Sequence, residues 1–257
     1  MILRWNIGEN NVFRLSNQAF EMLEYSILFS KLIFSKFNNS LEYFVCYNNL
    51  GHQSRKKLLG IFDKHDINSI DVSDDLHPRL RNPKVKNSWW KYAIPRIDKT
   101  SYEILMDNDI ILWSIPPTLK KAINSNSLVA LEDGVGKFYG DFLESVNILD
   151  INLNLNAGLL GCPPGFEIKI IEIVDTLIRD FFFSEQGYTA LQYAKYNGSK
   201  LLIPHSEIQQ LNANRISALD LINCYNGGHF CGCSYDIETF WTKIYSTSVK
   251  EKYKEMI

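Results

Sequence analysis

Apolar residues recur along this chain with two different spacings, and the alternation between them predicts its architecture. The run Ile2 to Ile7 is apolar and ends in the turn-forming stretch Gly8-Glu9-Asn10-Asn11, which predicts a first strand. From Ser16 the spacing becomes helical: Phe20, Leu23, Ile27, Phe34 and Phe37 share one face, Ser16 stands at the N-cap, and Asn38-Asn39-Ser40 closes the segment. Leu41 to Tyr47 is again strand-like, rich in aromatic and β-branched residues and closed by Asn48-Asn49. Ser54 to His65 predicts a second helix, with Leu58, Leu59, Ile61 and Phe62 on its apolar side, and Ile67 to Val72 a third, weaker strand. Between Ser73 and Ser88 the sequence is polar, and Pro78 and Pro83 exclude regular structure there. Strands and helices in strict alternation predict an α/β fold with a mostly parallel, doubly wound sheet flanked by helices. In such sheets ligands bind outside the carboxyl ends of the strands. Ile7, Gly8, Tyr47 and Asn48 stand at the ends of the first two strands, where an aromatic could stack on a base and an amide read its edge.

The pattern continues less regularly. Trp89 to Ile97 predicts an aromatic helix, and Tyr102 to Met106 a strand that runs into Asp107-Asn108-Asp109 before Ile110 to Trp113 resumes the apolar run. Pro116-Pro117 opens a short helix over Thr118 to Ile123, and Leu128 to Glu132 and Leu149 to Leu155 are predicted strands. Pro163-Pro164-Gly165 is a turn, Ile168 to Phe183 and Tyr188 to Tyr196 are amphipathic helices, and Lys250 to Lys254 is a solvated helix end.

Composition narrows the function classes. With 46% apolar residues the 257-residue chain can bury a large core, and residues 1–257 are expected to form a single domain. Lysine and arginine number 27 against 29 acids, well mixed along the sequence, so no electrostatic footprint for nucleic acid exists. Cys46, Cys162, Cys224, Cys231 and Cys233 are scattered and odd in number, which points to free thiols and a reducing, cytoplasmic setting. No targeting segment is visible, and the apolar stretch from Tyr25 to Phe34, interrupted by Lys31, is too short to span a bilayer. Peripheral contact with a membrane stays open.

The candidate chemistry centres on Asp107-Asn108-Asp109. Two carboxylates between apolar strand residues are costly unless a positive charge meets them. In a continuing strand Asp107 and Asp109 would face the same side and could share one cation; Asp and Asn also favour turns, which would aim them differently. Oxygen ligands suit a hard divalent ion such as Mg²⁺ or Mn²⁺, which in turn grips phosphate oxygens. Such a triplet in isolation is most often a solvated turn; its position, after a strand in the middle of an α/β chain, is what distinguishes it here. His229, Cys231 and Cys233 form an H-x-C-x-C run that could hold zinc, although no second ligand pair is evident. His52, His65, His77 and His205 lie in polar or helix-end settings and are expected at the surface.

Several of these segments resemble a known family. Trp90 to Arg96 followed by Glu103 to Ile111 resembles the donor-binding stretch of GT-A glycosyltransferases, whose D-x-D motif holds a metal. Leu155-Asn156-Ala157-Gly158-Leu159 resembles the N-A-G element of glycosyltransferase family 8, the glycogenin and bacterial lipopolysaccharide galactosyltransferase group. Ser184-Glu185-Gln186-Gly187 is similar to its D-Q-D segment without the second acid, and Gly228-His229-Phe230-Cys231-Gly232 to its C-terminal histidine element, although Cys233-Ser234-Tyr235 replaces the usual K-P-W.

The resemblance implies a GT-A domain, with residues 1–113 as the nucleotide-donor half and residues 114–257 as the sugar and acceptor half. It implies transfer of a sugar from a nucleoside diphosphate donor, a UDP-hexose first, to a glycan, lipid-linked or protein acceptor, with retention favoured over inversion. Asp107, Asp109 and His229 would be the ligands of Mn²⁺ (or Mg²⁺). Lys91 and Arg96 would stand near the diphosphate; Asn108, Asn156, Ala157, Gly158 and Gly232 would line the donor; Gln186 would lie beneath the anomeric carbon beside Glu185. For an inverting reaction Glu185, Glu132 or Asp133 could act as base. Two other classes share the sheet. One is a sugar-1-phosphate nucleotidyltransferase, against which Gly8 to Val12 lacks the Gly-rich basic loop; the other is a non-catalytic nucleotide- or glycan-binding domain.

Overall fold

In the computed structural model, residues 1–9, 15–35, 40–75, 91–168, 184–211, 216–231 and 241–257 are described. The first part builds as the periodicity predicts. Strands β1 (Ile2–Gly8), β2 (Glu42–Asn48) and β3 (Asn68–Asp71) are parallel neighbours, linked through helices α1 (Asn17–Phe34) and α2 (His52–His65). Ser16 caps α1 by accepting the Ala19 N–H, and Asp66, at φ 50°, ends α2 in the left-handed conformation that aspartate tolerates.

Strand β4 (Glu103–Asp107) adds parallel to β1, and β5 (Ile110–Leu112) leaves the sheet two residues later. Helix α3 (Pro117–Asn124), β6 (Leu128–Glu132), α4 (Leu143–Leu149), β7 (Leu155–Cys162), α5 (Ser184–Lys195) and β8 (Lys200–Ile203) complete the large sheet, whose order is β3-β2-β1-β4-β7-β6-β8. Strand β7 runs antiparallel between β4 and β6. A small sheet of order β5-β10-β9 packs beside it, built from β5, β9 (Ile208–Gln210) and β10 (Gly227–His229). Helices α6 (Ala218–Cys224) and α7 (Ser246–Met256) close the chain.

Alternation along the strands sorts the two faces of the large sheet. Leu3, Trp5, Ile7, Val45, Tyr47, Ile104 and Met106 form one core with Phe20, Leu23 and Ile27 of α1 and Leu58 and Phe62 of α2. Each such side chain contributes roughly 1.5–3 kcal/mol on burial. The Trp5 indole N–H satisfies itself on Ser26 Oγ at 2.8 Å. The opposite face carries charge. Glu103 lies between Arg4 (3.0 Å) and Arg96 (3.2 Å), with all three side chains at 0% exposure. Arg4 also donates to the carbonyls of Lys91, Ile94 and Pro95, which holds the 91–97 segment over this face.

Two expected elements differ. In the described part of Trp89 to Ile97, only a single tight turn forms at Lys91 and Tyr92. Pro95 lacks an N–H, and the segment's carbonyls are spent on Arg4 instead of on a helical ladder. The strand expected over Leu149 to Leu155 is the end of α4 and a turn, in which the Asp150 side chain accepts the Asn152 N–H; the strand itself starts at Leu155. Of the helix expected over Ile168 to Phe183, all but Ile168 lies outside the described residues. Among the described residues no helix is long and apolar enough to cross a membrane, and Cys46, Cys162, Cys224 and Cys231 are free thiols.

Candidate metal centre and sugar site

The chain changes sheets at the D-x-D triplet. Asp107 ends β4 on the face opposite the core residue Met106, Asn108 and Asp109 form a turn, and Ile110 begins β5 in the small sheet. Strand β10 pairs antiparallel with β5, His229 opposite Ile110, and the Phe230 N–H donates to the Asp109 carbonyl at 2.8 Å. The junction of the two sheets therefore brings together residues 120 or more positions apart. One ligand atom from each of Asp107, Asp109 and His229 lies within 4.8 Å of the others.

The geometry of this triad fits a cation. His229 Nε2 stands 3.4 Å from Asp109 Oδ1, both side chains being nearly buried, yet Asp109 Oδ1 and His229 Nδ1 have no hydrogen bond. Buried polar atoms without partners are rare and costly, and the bare Asp109 Oδ1 beside His229 Nε2 is what a divalent ion would satisfy. Gly158 leaves room for the imidazole: a Cβ there would lie 2.5 Å from His229 Cε1. Burial lowers the basicity of His229, but the neighbouring Cys231 and Asp109 outweigh it and hold the pKa well above the ordinary histidine value. An entering cation must displace that proton. Burial, aided by Asp109, also raises the Asp107 pKa in spite of Lys91.

Lys91 links this triad to the second acidic group. Its ammonium, 6% exposed, lies 3.0 Å from Asp107 Oδ1, 3.0 Å from Glu185 Oε1 and 3.1 Å from the Ala157 carbonyl. All three donors are used, and against burial the two carboxylates keep its pKa raised. Glu185 also accepts from Tyr92 Oη at 3.0 Å, while burial pushes its pKa up. Gln186, partly exposed, donates from Nε2 to Asp133 Oδ2 at 3.0 Å. Gly187 explains the missing second acid of this segment. A Cβ there would lie 1.9 Å from the Tyr139 carbonyl oxygen, so the backbone of the loop before α4 occupies the space of a side chain. Asn156 lies at an irregularity in β7, where its Oδ1 accepts the Gly158 N–H at 2.8 Å and leaves its amide N–H groups as donors.

The remaining expected residues divide. Gly8 and Asn48 pair at the ends of β1 and β2, as the topology requires. Ile7 and Tyr47 turn the other way into the core, where Tyr47 packs on Phe62 (6.3 Å) beneath Arg55, so its ring is no stacking platform. The reason is the strand period, which places residue 47 with Val45 and residue 48 on the opposite face. Arg96 does not reach the metal-capable triad: its guanidinium is spent on Glu103 and on the carbonyls of Asp98, Ser101, Pro163 and Phe166. Asn108 donates to the Ala19 carbonyl at 3.5 Å. Gly232 lies outside the described residues, as do Cys233 of the zinc reading and His77. His65 and His205 are not simple surface residues. His65 Nε2 contacts Glu24 at 2.9 Å, and the His205 ring packs against Gly134 with its Nε2 buried and unbonded.

Asn6 was not expected. It sits beside Asp107 in the β1–β4 register, and both polar atoms of its side chain, like those of Asn48, are buried without hydrogen bonds. A polar residue inside the apolar run Ile2 to Ile7 was the available signal. Asn6, Asn48 and Asp107 stand on one face at the carboxyl ends of three adjacent parallel strands.

Comparison with known proteins identifies the fold. No family model matches the chain, and neither does any curated protein sequence. Solved structures do. The galactosyltransferase LgtC, in complex with donor and acceptor sugar analogues, superposes with a TM-score of 0.57 at 12% identity, over 100% of this chain and 95% of that one. The apo-form glycosyltransferase GlyE of Streptococcus pneumoniae TIGR4 gives 0.55 at 12% identity, over 99% of this chain and 63% of its own. Mouse xyloside xylosyltransferase 1 gives 0.52 at 11% identity, over 92% and 100%. The chain has the GT-A glycosyltransferase fold; at these identities the likeness speaks for the fold alone.

Proposed function

We propose that this chain transfers a sugar from a nucleoside diphosphate donor, with a UDP-hexose the first candidate, to a glycan, lipid-linked or protein acceptor. The observation that carries the reading is the triad Asp107, Asp109 and His229, with Asp109 Oδ1 buried and unbonded beside His229 Nε2, gathered where β4 of a GT-A sheet passes into the small sheet. Asp107 and Asp109 would hold a divalent cation through oxygen and His229 through nitrogen, a mixed set that favours Mn²⁺ over Mg²⁺. When bound, that cation supplies Lewis-acid neutralisation of the diphosphate leaving group.

The chain's own residues account for the rest. Asn6 and Asn48 present unbonded amides where the base and ribose of a donor would lie, which makes residues 1–113 the nucleotide half. Lys91 keeps Asp107 and Glu185 from repelling each other and fixes the Asp107 carboxylate at the metal position. Asn156, with its free amide N–H groups, would serve the sugar, while Gly158 leaves the His229 imidazole the room it occupies. Gln186 turns a carbonyl oxygen, unpartnered among the described residues, toward developing positive charge at the anomeric carbon, and the carboxylate of Glu185 lies beside it. Retention of configuration follows from this reading. Inversion would require a free base, and Asp133, one of the candidates, is already spent on Gln186, Val135 and Gly136. A lipid-linked acceptor would bring the protein, otherwise cytoplasmic, to a membrane surface.

Incubation with a panel of nucleotide sugars and Mn²⁺, read by mass spectrometry, tests the proposal. Release of a nucleoside diphosphate from one donor, abolished by Asp109→Ala, supports it. Release of pyrophosphate from a sugar phosphate and a nucleoside triphosphate would establish nucleotidyl transfer instead, and binding without turnover a non-catalytic domain.

A further inference from the structure

The sugar-facing end of α5 rests on the loop between β6 and α4 through contacts that go beyond packing. Asp133, 3% exposed, accepts the Val135 N–H (2.9 Å) and the Gly136 N–H (3.4 Å) on Oδ1, and Gln186 Nε2 (3.0 Å) on Oδ2. Ser184 Oγ accepts the Asp141 N–H at 3.0 Å and donates to Asp141 Oδ2 at 2.9 Å. Gly140, at φ +50°, and Gly187 let the two backbones approach where a Cβ on either would collide with the other segment. The loop itself is anchored to the small sheet, since Gln210 Oε1 accepts the Gly134 N–H at 3.1 Å.

We propose that Asp133 is a positioning residue that sets which end of the Gln186 amide faces the sugar. A terminal amide can present either its oxygen or its NH₂ group, and the two ends act oppositely on developing positive charge. A carboxylate accepts only, so it selects the NH₂ end of Gln186 and directs the carbonyl oxygen away from itself. The two backbone N–H groups on Oδ1 stop the carboxylate from rotating out of this role. The inference rests on the reading of Gln186 as the residue beneath the anomeric carbon, but the orientation of its amide is measurable without turnover.

Asp133→Asn reverses the selection. The backbone donors retain Oδ1 of the new asparagine, its NH₂ group faces Gln186, and the Gln186 amide turns over. In wild type the Gln186 side-chain amide protons, assigned by their loss in Gln186→Ala, should exchange with water roughly tenfold or more slowly than in Asp133→Asn. With a turned-over donor, kcat should fall about tenfold or more while the donor KM changes less than about twofold. In a Gln186→Ala background, Asp133→Asn should cost less than about twofold. Equal exchange rates in wild type and Asp133→Asn, or additive losses in kcat, would overturn the proposal. Should Asp133→Asn fail to fold, Gln186→Glu serves as the second variant. Its carboxyl, facing Asp133, should titrate about one pH unit or more above an ordinary glutamate, and a normal titration would refute the pairing. If no donor is turned over, the functional reading fails, and the exchange and titration measurements still decide the orientation.

Discussion

Glycines in this site are fixed by contact distances, which makes them sharp probes of the geometry. A methyl group at residue 158 would stand 2.5 Å from Cε1 of His229, so Gly158→Ala should tilt the imidazole and weaken Mn²⁺ binding by about 10–100-fold, measured by electron paramagnetic resonance titration, with little change in melting temperature. Gly187→Ala meets backbone, the Tyr139 carbonyl oxygen at 1.9 Å, and should lower stability by about 1–3 kcal/mol or more in a denaturant titration. Lys91→Met leaves Asp107 and Glu185 buried without their shared cation and should cost about 3–5 kcal/mol in stability, with partial recovery when Mn²⁺ is added. At this scale the sequence was partly legible. Asp107, Asp109, His229, Lys91 and Glu185 do cluster, because motif order and strand ends constrain them together. Arg96 and Tyr47 do not serve as expected: which face a strand residue takes, and which carbonyls consume a guanidinium, depend on partners distant in sequence. Asn6 was hidden for the same reason, its meaning given only by its register with Asp107.

Among the elements, the C-terminal segment is the clearest case of one part holding another in place. Phe230, next to His229, packs against Trp241 at 4.8 Å and Tyr245 at 5.4 Å, and Glu21 of α1 ties this cluster to α7 through Trp241 Nε1 (2.8 Å), Ser246 Oγ (3.2 Å) and Lys250. Burial raises the Glu21 pKa, but these hydrogen bonds and Lys250 outweigh it, and the carboxyl is held below the ordinary glutamate value. A depressed folded-state pKa means stability that is fully present above the unfolded value and lost as the pH falls through it toward the folded one. Glu21→Gln should therefore cost about 1–3 kcal/mol at neutral pH and remove part of the acid sensitivity, read from melting curves across the acidic range. The regular elements β1 to α2 were legible because each obeys one period and ends on a turn or cap. The segment 91–97 and the turn after α4 were not, because aromatic or apolar content there serves tertiary contacts rather than a ladder.

For the whole molecule, the sheet change at Asp107 ties fold to site. The large sheet supplies Asn6, Asn48 and Asp107 at the ends of its parallel strands, the small sheet supplies His229, and the turn between them supplies Asp109. The parallel half was legible as an architecture, but the second sheet was not, since β5, β9 and β10 have only three residues each and carry no periodic signal. Calorimetric titration of UDP into the protein with and without Mn²⁺ tests the central claim most directly. The account predicts tight, Mn²⁺-dependent UDP binding that His229→Ala and Asp109→Ala each weaken at least about tenfold. Binding of UDP that is indifferent to the metal and to both substitutions would contradict it.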